Sequence, residues 1–313
     1  MKIVVTGGCG YIGTCLTQEL LNQGFKVIVI DNQWFGNHLN KHKNLSIIKK
    51  DIREINRIKL KNIYAIIHLA NIANDPGVEL NQNLSWDVNV LATRDLMEKA
   101  KKIKVKKFLY ASSGSVYGIK KEKNVTEDLD LVPITTYNKT KMIAERIIKS
   151  YEKDIDSFCI RPATVCGYSP RMRLDVSVNA LTFQALHKKS INVFGGSQIR
   201  PNIHIKDMIR VYLHFLKKNL KPGVYNAGFE NLSIINLAKK IQKKIDCKIN
   251  ITKSNDPRSY RQNSQKLLNT GFKQKYYIDD AIDDLISLYN KGKIRDKEIC
   301  FTVKWMKKLK LKK

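Results

Sequence analysis

Acidic side chains are scarce in this chain: 28 against 57 lysines and arginines, a formal net charge of +29 over 313 residues. A field of that sign attracts anions in general, whether phosphorylated small molecules, nucleic acid or an anionic membrane, and does not choose among them. Most of it is lysine spread from Lys41 to Lys313 on the polar side of amphipathic segments, the pattern of a solvated surface. Long apolar runs are missing too. None approaches the roughly 18 to 20 residues that a membrane span requires, so no transmembrane helix is expected. The chain enters a strand pattern at Lys2, without the charged region, apolar stretch and cleavage site of a signal peptide, and a cytoplasmic location is expected. No Cys-x-x-Cys pair occurs: Cys9, Cys15, Cys159, Cys166, Cys247 and Cys300 stand singly, mostly in apolar runs. That spacing predicts buried thiols, with neither a disulfide framework nor a zinc or other metal site. Prolines number only 7, and there is no Gly/Pro/Ser linker and no internal repeat, so any two lobes should pack tightly around one cleft.

What is present is alternation. Short β-branched runs at residues 2–6, 26–31, 45–49, 65–69, 107–112 and 157–161 are separated by helical-period segments at 11–22, 53–60, 84–101 and 137–152. Strand and helix in turn predict an α/β fold, a Rossmann-type doubly wound parallel sheet over residues 1–165. Beyond it the order loosens, with strands near 191–194 and 202–205 and helices at 175–188, 206–217, 233–244 and 278–290. Residues 166–290 are therefore expected to form a smaller substrate-binding lobe interleaved with late sheet elements, and 291–313 a basic C-terminal tail. Phe301, Val303, Trp305, Met306, Leu309 and Leu311 punctuate that tail. A packed or frayed extension is favoured there over a basic amphipathic helix touching a membrane.

The first strand runs into Thr6-Gly7-Gly8-Cys9-Gly10-Tyr11-Ile12-Gly13, which opens the first helix. Glycines at 7, 10 and 13 allow a tight turn, close approach of backbone to a pyrophosphate and close helix-to-strand packing, while the helix start offers unpaired N–H groups. Asp31 ends the second strand, 18 residues past Gly13, where it can accept both hydroxyls of an adenosine ribose and repel a 2′-phosphate. With no arginine beside it, the expected cofactor is NAD rather than NADP. The expected contacts are Gly7, Gly10, Tyr11, Ile12, Gly13, Asp31 and Asn32, with Asp51 and Ile52 near the adenine.

Tyr137 and Lys141 stand at i and i+4, one above the other on one helix face. The lysine charge, with that of an oxidised nicotinamide, would lower the phenol pKa and let Tyr137 take a proton as hydride leaves the neighbouring carbon. Tyr110-Ala-Ser-Ser-Gly-Ser-Val-Tyr-Gly118 follows an apolar strand, so its hydroxyls face the same cleft: Ser113 toward the reacting oxygen, Ser112 or Ser115 toward substrate. His204, between Ile203 and Ile205 in a strand pattern, reads as structural.

Together these motifs resemble the extended short-chain dehydrogenase/reductase superfamily, specifically the NAD-dependent epimerase/dehydratase family acting on nucleotide sugars. The likeness runs to about residue 290 and includes His68-Leu69-Ala70, Asn89, Thr93, Arg161-Pro162, Val165-Cys166-Gly167, Arg200-Pro201-Asn202, Tyr225-Asn226-Ala227-Gly228 and Asp256-Pro257-Arg258. The resemblance implies that Ser113, Tyr137 and Lys141 are catalytic, that Leu69, Ala70 and Asn89 join the cofactor site, and that Ser113, Thr164, Asn179, Arg200 and Arg258 bind a nucleotide-diphosphate sugar. It implies a homodimer as well, paired through the helices near 84–101 and 137–152, with Val88, Leu91, Leu96 and Met97 as the compatible apolar stripe.

The family's branches share oxidation of a sugar carbon, usually C4. A 4,6-dehydratase places Asp-Glu directly after its catalytic hydroxyl residue; here Gly114-Ser115 follows, which disfavours dehydration. A 4-epimerase needs no further acid or base, and that is the expected activity. The segment 164–175 also resembles heptose-modifying relatives that release the 4-keto sugar, so a C4 dehydrogenase is the alternative; Arg171 and Arg173 either line the sugar pocket or cap Asp175. A non-catalytic, RNA-binding Rossmann protein is the reading from another class. Such relatives lose the Tyr/Lys/Ser group that this chain retains, so no nucleic-acid partner is expected.

Overall fold

The structure, a computed structural model, describes residues 1–253 and 259–309. Its strands are β1 (Lys2–Thr6), β2 (Lys26–Asp31), β3 (Leu45–Lys49), β4 (Ala65–His68), β5 (Lys107–Ala111), β6 (Asp156–Pro162), β7 (Thr164–Cys166), β8 (Ser190–Phe194), β9 (Ile199–His204), β10 (Gly223–Ala227), β11 (Glu230–Ser233) and β12 (Lys248–Thr252). The helices are α1 (Tyr11–Asn22), α2 (Asp75–Val78), α3 (Gln82–Trp86), α4 (Ala92–Lys102), α5 (Thr136–Ser150), α6 (Ser177–Lys188), α7 (Ile205–Lys217), α8 (Ile234–Gln242), α9 (Gln265–Leu268), α10 (Ile278–Asn290) and α11 (Thr302–Lys308).

Seven strands form one parallel sheet in the order β10-β6-β5-β4-β1-β2-β3, the doubly wound arrangement expected. Ile3, Val4 and Val5 of β1 and all of β4 are buried, because helices cover both faces of the sheet. Leu16, Leu20 and Leu21 of α1 pack with Met208, Tyr212 and Phe215 of α7 on one face. Leu96 and Met97 of α4 pack with Ala144 and Ile148 of α5 on the other. The order reverses between β1 and β4, and in such sheets the crevice at the strands' carboxyl ends receives the ligand.

Past β6 the chain builds a three-stranded sheet, β11-β9-β7, and a parallel pair, β12-β8, over a separate core of α6, α8 and α10. It re-enters the main sheet once, where β10 pairs with β6.

The structure departs from the sequence reading in several places. The helix expected over 84–101 is interrupted by a π-helical turn, Asp87–Leu91. There the Asn89 side chain accepts from Ile72 N at 2.9 Å and donates to Ile72 O at 3.2 Å. Thr93 donates back to Asn89 O at 2.8 Å, so the widened turn holds Asn89 against the loop after β4. Residues 53–60 shorten to a 3-10 turn, Ile52–Arg57, capped by Asp51. The apolar stripe assigned to a dimer contact is mostly consumed within the chain: Val88, Leu96 and Met97 are buried, and Leu91 alone of the four is exposed. The C-terminal segment folds back, burying Ile294, Cys300 and Met306, so these apolar residues serve the chain's own core rather than a membrane. No helix among the described residues is long and apolar enough to cross a membrane.

Candidate active site

A cleft of about 660 Å³ opens at the carboxyl ends of the central strands. On one wall lies the glycine turn. Gly7 has φ +71°, and a Cβ there would sit 2.6 Å from Ala70 N; one on Gly13 would sit 2.1 Å from Gly7 O. The glycines therefore let three backbone segments crowd together at the start of α1. That helix begins at Gly10 with no side-chain cap, leaving its first N–H groups to an anion. Asp31 accepts from Cys9 N at 2.9 Å and Gln33 N at 2.7 Å; burial raises its pKa, and these two bonds work against the rise. The carboxylate is thus held in place with lone pairs to spare. Asn32, Asp51, Ile52, Leu69 and Ala70 complete this wall. An uncapped helix start, backbone that tolerates no Cβ and an oriented carboxylate fit an adenine dinucleotide.

Ser113, Tyr137 and Lys141 line the same cleft. Thr135 caps α5 by accepting from Asn138 N, which presents Tyr137 in the first turn and Lys141 one turn on. Lys141 Nζ donates to Ala111 O at 2.6 Å and lies 5.9 Å from the Tyr137 ring centre. Ser113 Oγ is 2.8 Å from Ser115 Oγ. Burial pushes the Tyr137 phenol up to about 12, against the lowering influence of the Ser113 hydroxyl. The phenol lowered by lysine that the motif suggested is therefore not a property of the protein alone. Burial also takes Lys141 down to about 7 from 10.5, with Glu145 opposing the drop.

This lysine makes stability depend on pH. Between pH 7 and 10.5 the unfolded chain holds a proton that the folded one has released, so the penalty is full below that window and relieved as pH rises through it. Lys141→Met abolishes the effect. In urea unfolding at about pH 6, 8 and 10, the stability difference between the two proteins should shift steadily in favour of wild type; a difference independent of pH would contradict the burial of this charge.

The sequence profile of the NAD dependent epimerase/dehydratase family matches residues 3–228. The chain belongs to that family. It is accordingly an enzyme, and its cofactor is NAD. The UDP-glucose 4-epimerase of Lactobacillus helveticus is 28% identical over 318 residues, covering 92% of this chain and 95% of that protein. The uncharacterised UDP-glucose epimerase YtcB of Bacillus subtilis (strain 168) is 32% identical over 263 residues, 77% of this chain and 81% of that one. Among solved structures, the UDP-glucuronic acid 4-epimerase of Bacillus cereus in complex with UDP-glucuronic acid and NAD superposes with a TM-score of 0.79 at 28% identity, covering 92% of this chain and 100% of that one.

Within this family member, Thr164 and Arg200 also line the cleft, as does the Tyr11 ring, whose hydroxyl turns away to donate to Gly167 O at 2.6 Å. Asn89 and Asn179, expected to touch cofactor and substrate, do not line it. Asn89 is spent on Ile72 and on Thr140 Oγ1. Asn179 is fully buried, accepting from Gly167 N at 2.9 Å and donating to Tyr11 Oη at 3.1 Å and Arg173 O at 2.9 Å. Both spend their side chains on the chain's own backbone and hydroxyls behind the cleft. Arg258 lies outside the described residues. His204 is structural as read: buried, capping α7 through Lys206 N and stacked on Tyr276.

Two sets of residues escaped the sequence reading. Behind the serines, Glu145 accepts from Arg161 at 2.9 and 2.7 Å and from Ser112, while Arg161 Nη1 donates to Tyr117 Oη at 2.7 Å. The available signal was position: Glu145 is four residues past Lys141 on the same helix face. The second set, Trp34, Phe35, Thr302, Val303 and Met306, lines the cleft from distant parts of the chain and left no such signal. Of the two arginines read as pocket-lining or capping, both line the cleft, and Arg173 also donates to Asp175 Oδ1 at 2.8 Å.

Proposed function

We propose that this protein is a 4-epimerase of a UDP-linked sugar, oxidising C4 and returning the hydrogen to the opposite face. One observation carries the reading: Ser113, Tyr137 and Lys141 share a cleft with the glycine turn, and among the described residues no unengaged carboxylate stands with them. Four carboxylates among the described residues line the cleft. Asp31 is held by backbone N–H groups, Asp51 by Arg53, Asp75 by Thr135, and Asp175 by Arg173. Gly114 and Ser115 occupy the positions where dehydration would need its acid and base. The set suffices for moving one proton and one hydrogen, and no more. UDP is favoured by the names of the relatives and of the solved structure.

Tyr137 takes the C4 hydroxyl proton and later gives it back. Ser113, whose hydroxyl acts on the phenol from the same cleft, holds the reacting oxygen beside it. Lys141, fixed by Ala111 O, brings a positive charge under the developing phenolate. NAD, when bound, supplies the acceptance and return of hydride and a positive ring that favours tyrosinate. Thr164, Arg200 and Arg258 serve the nucleotide-sugar diphosphate, for which the planar guanidinium fork is suited. Leu91 would anchor any dimer formed through α4 and α5.

A panel of UDP-, GDP- and dTDP-sugars, with product stereochemistry and NADH absorbance followed together, tests this. Inversion at C4 with no net NADH is expected for at least one UDP-sugar. NADH in stoichiometric yield would make the protein a C4 dehydrogenase, and salt-sensitive RNA binding without NAD would remove it from catalysis.

A further inference from the structure

The C-terminal segment lies over the cofactor half of the cleft. Thr302, Val303 and Met306 line the same cavity as Gly7, Gly13 and Asp31, although nearly the whole chain separates them in sequence. Four attachments hold the segment there. Leu174 N donates to Cys300 O at 2.9 Å, and Thr302 N donates to Asp175 Oδ2 at 2.9 Å. Trp305 Nε1 donates to Trp34 O at 2.6 Å, tying the segment to the loop after β2 that also carries Asn32. Met306 is buried in the core formed by Ile30, Ile52, Ile72 and Val78.

Beneath the segment is an arginine that the epimerase reading does not use. Arg171 is 4% exposed, and its guanidinium carbon lies 3.9 Å from the centre of the Phe35 ring. Its two terminal nitrogens make only long contacts, 3.4 Å each, to Met172 O and Thr302 Oγ1, and Nε has no partner among the described residues. Burial lowers its pKa to about 10, and its charge acts on the Asp31 carboxylate. A desolvated guanidinium with idle donors is costly in a folded protein unless something negative joins it. It lines a cleft shaped for a dinucleotide, beside the carboxylate suited to the ribose.

We propose that residues 300–306, Phe35 and Arg171 form a clasp that retains NAD between turnovers, with Arg171 pairing to a cofactor phosphate. The proposal rests on the epimerase reading in one respect: an enzyme that returns the hydrogen it removed has no need to release its cofactor, whereas a dehydrogenase must. A planar guanidinium stacked on Phe35 supplies bidentate pairing to phosphate oxygens, and Trp305 and Met306 must detach before the dinucleotide can leave.

The test measures cofactor release directly, without sugar. Full-length protein is loaded with NADH and mixed with excess NAD, and loss of bound-NADH emission gives the release rate. Arg171→Met should release at least about tenfold faster, the loss of a charge-assisted contact, and Trp305→Phe should be accelerated in the same direction. Thermal melting without cofactor separates the proposal from a merely structural role: Arg171→Met should leave the cofactor-free melting temperature unchanged or raised, since it removes an unpaired buried charge. Release from both variants within about twofold of wild type overturns the clasp, as does faster release accompanied by cofactor-free unfolding. Because no sugar is present, a protein that fails the sugar panel can still pass here, and the reverse.

Discussion

Tyr137→Phe should lower kcat about a thousandfold while leaving NAD affinity and the folded structure intact. The substitution removes one oxygen from a side chain whose ring already packs against the helix-covered face of the sheet and stands 5.9 Å from Lys141 Nζ, so the aromatic contact survives. What disappears is the phenol that shares the cleft with Ser113 and Lys141 and would exchange a proton with the sugar oxygen. Since burial holds the free-enzyme phenol near 12, little tyrosinate exists at neutral pH before ligands bind, and the loss should fall on kcat rather than on KM. Steady-state kinetics on whichever UDP-sugar is turned over, paired with calorimetric NAD titration, measure both. Residual activity within about tenfold of wild type would mean that another residue is the base.

Arg161→Met should be the most destabilising single change in the neighbourhood, costing about 3 to 5 kcal/mol of folding free energy. Arg161 and Glu145 are 3% and 6% exposed, and their two parallel hydrogen bonds are the main compensation for burying both charges. Removing the guanidinium strands the Glu145 carboxylate with Ser112 and leaves Tyr117 Oη without its donor. The harm comes from the uncompensated charge, not from the lost attraction, so adding Glu145→Leu should recover much of the deficit. Urea unfolding of the wild type and the single and double variants gives the coupling. A single variant less than about 1 kcal/mol below wild type would show that the pair is dispensable. The consequence reaches the active site, because this ion pair backs Ser112 on the serine loop and lies one helical turn from Lys141.

The parallel sheet was legible because its strands are buried on both faces and so read as unbroken apolar runs, as in Ile3-Val4-Val5 and Ala65-Ile66-Ile67. β11, with Glu230 and Asn231, and β12, with alternating lysine, asparagine and isoleucine, lie half-exposed outside that sheet and carried no comparable signature. β10 was missed for a different reason. Its Val224-Tyr225-Asn226-Ala227 is short, and the Asn226 side chain serves Val125 O and Asn263 O, a demand that only neighbours from elsewhere in the chain create.

The same division holds for chemistry. The glycine turn, Asp31 at a strand end and the Tyr137/Lys141 spacing are local geometry, set by φ angles and helical pitch within a few residues, and so they stand in the amino-acid order itself. Whether a polar side chain faces ligand or props a wall is settled by partners far along the chain. Asn89 and Asn179 turned to Ile72 and Gly167, and the C-terminal segment came to rest over the cofactor cleft through Trp34, Arg171 and Asp175. Contacts of that range depend on how separate elements pack, which periodicity and spacing do not encode.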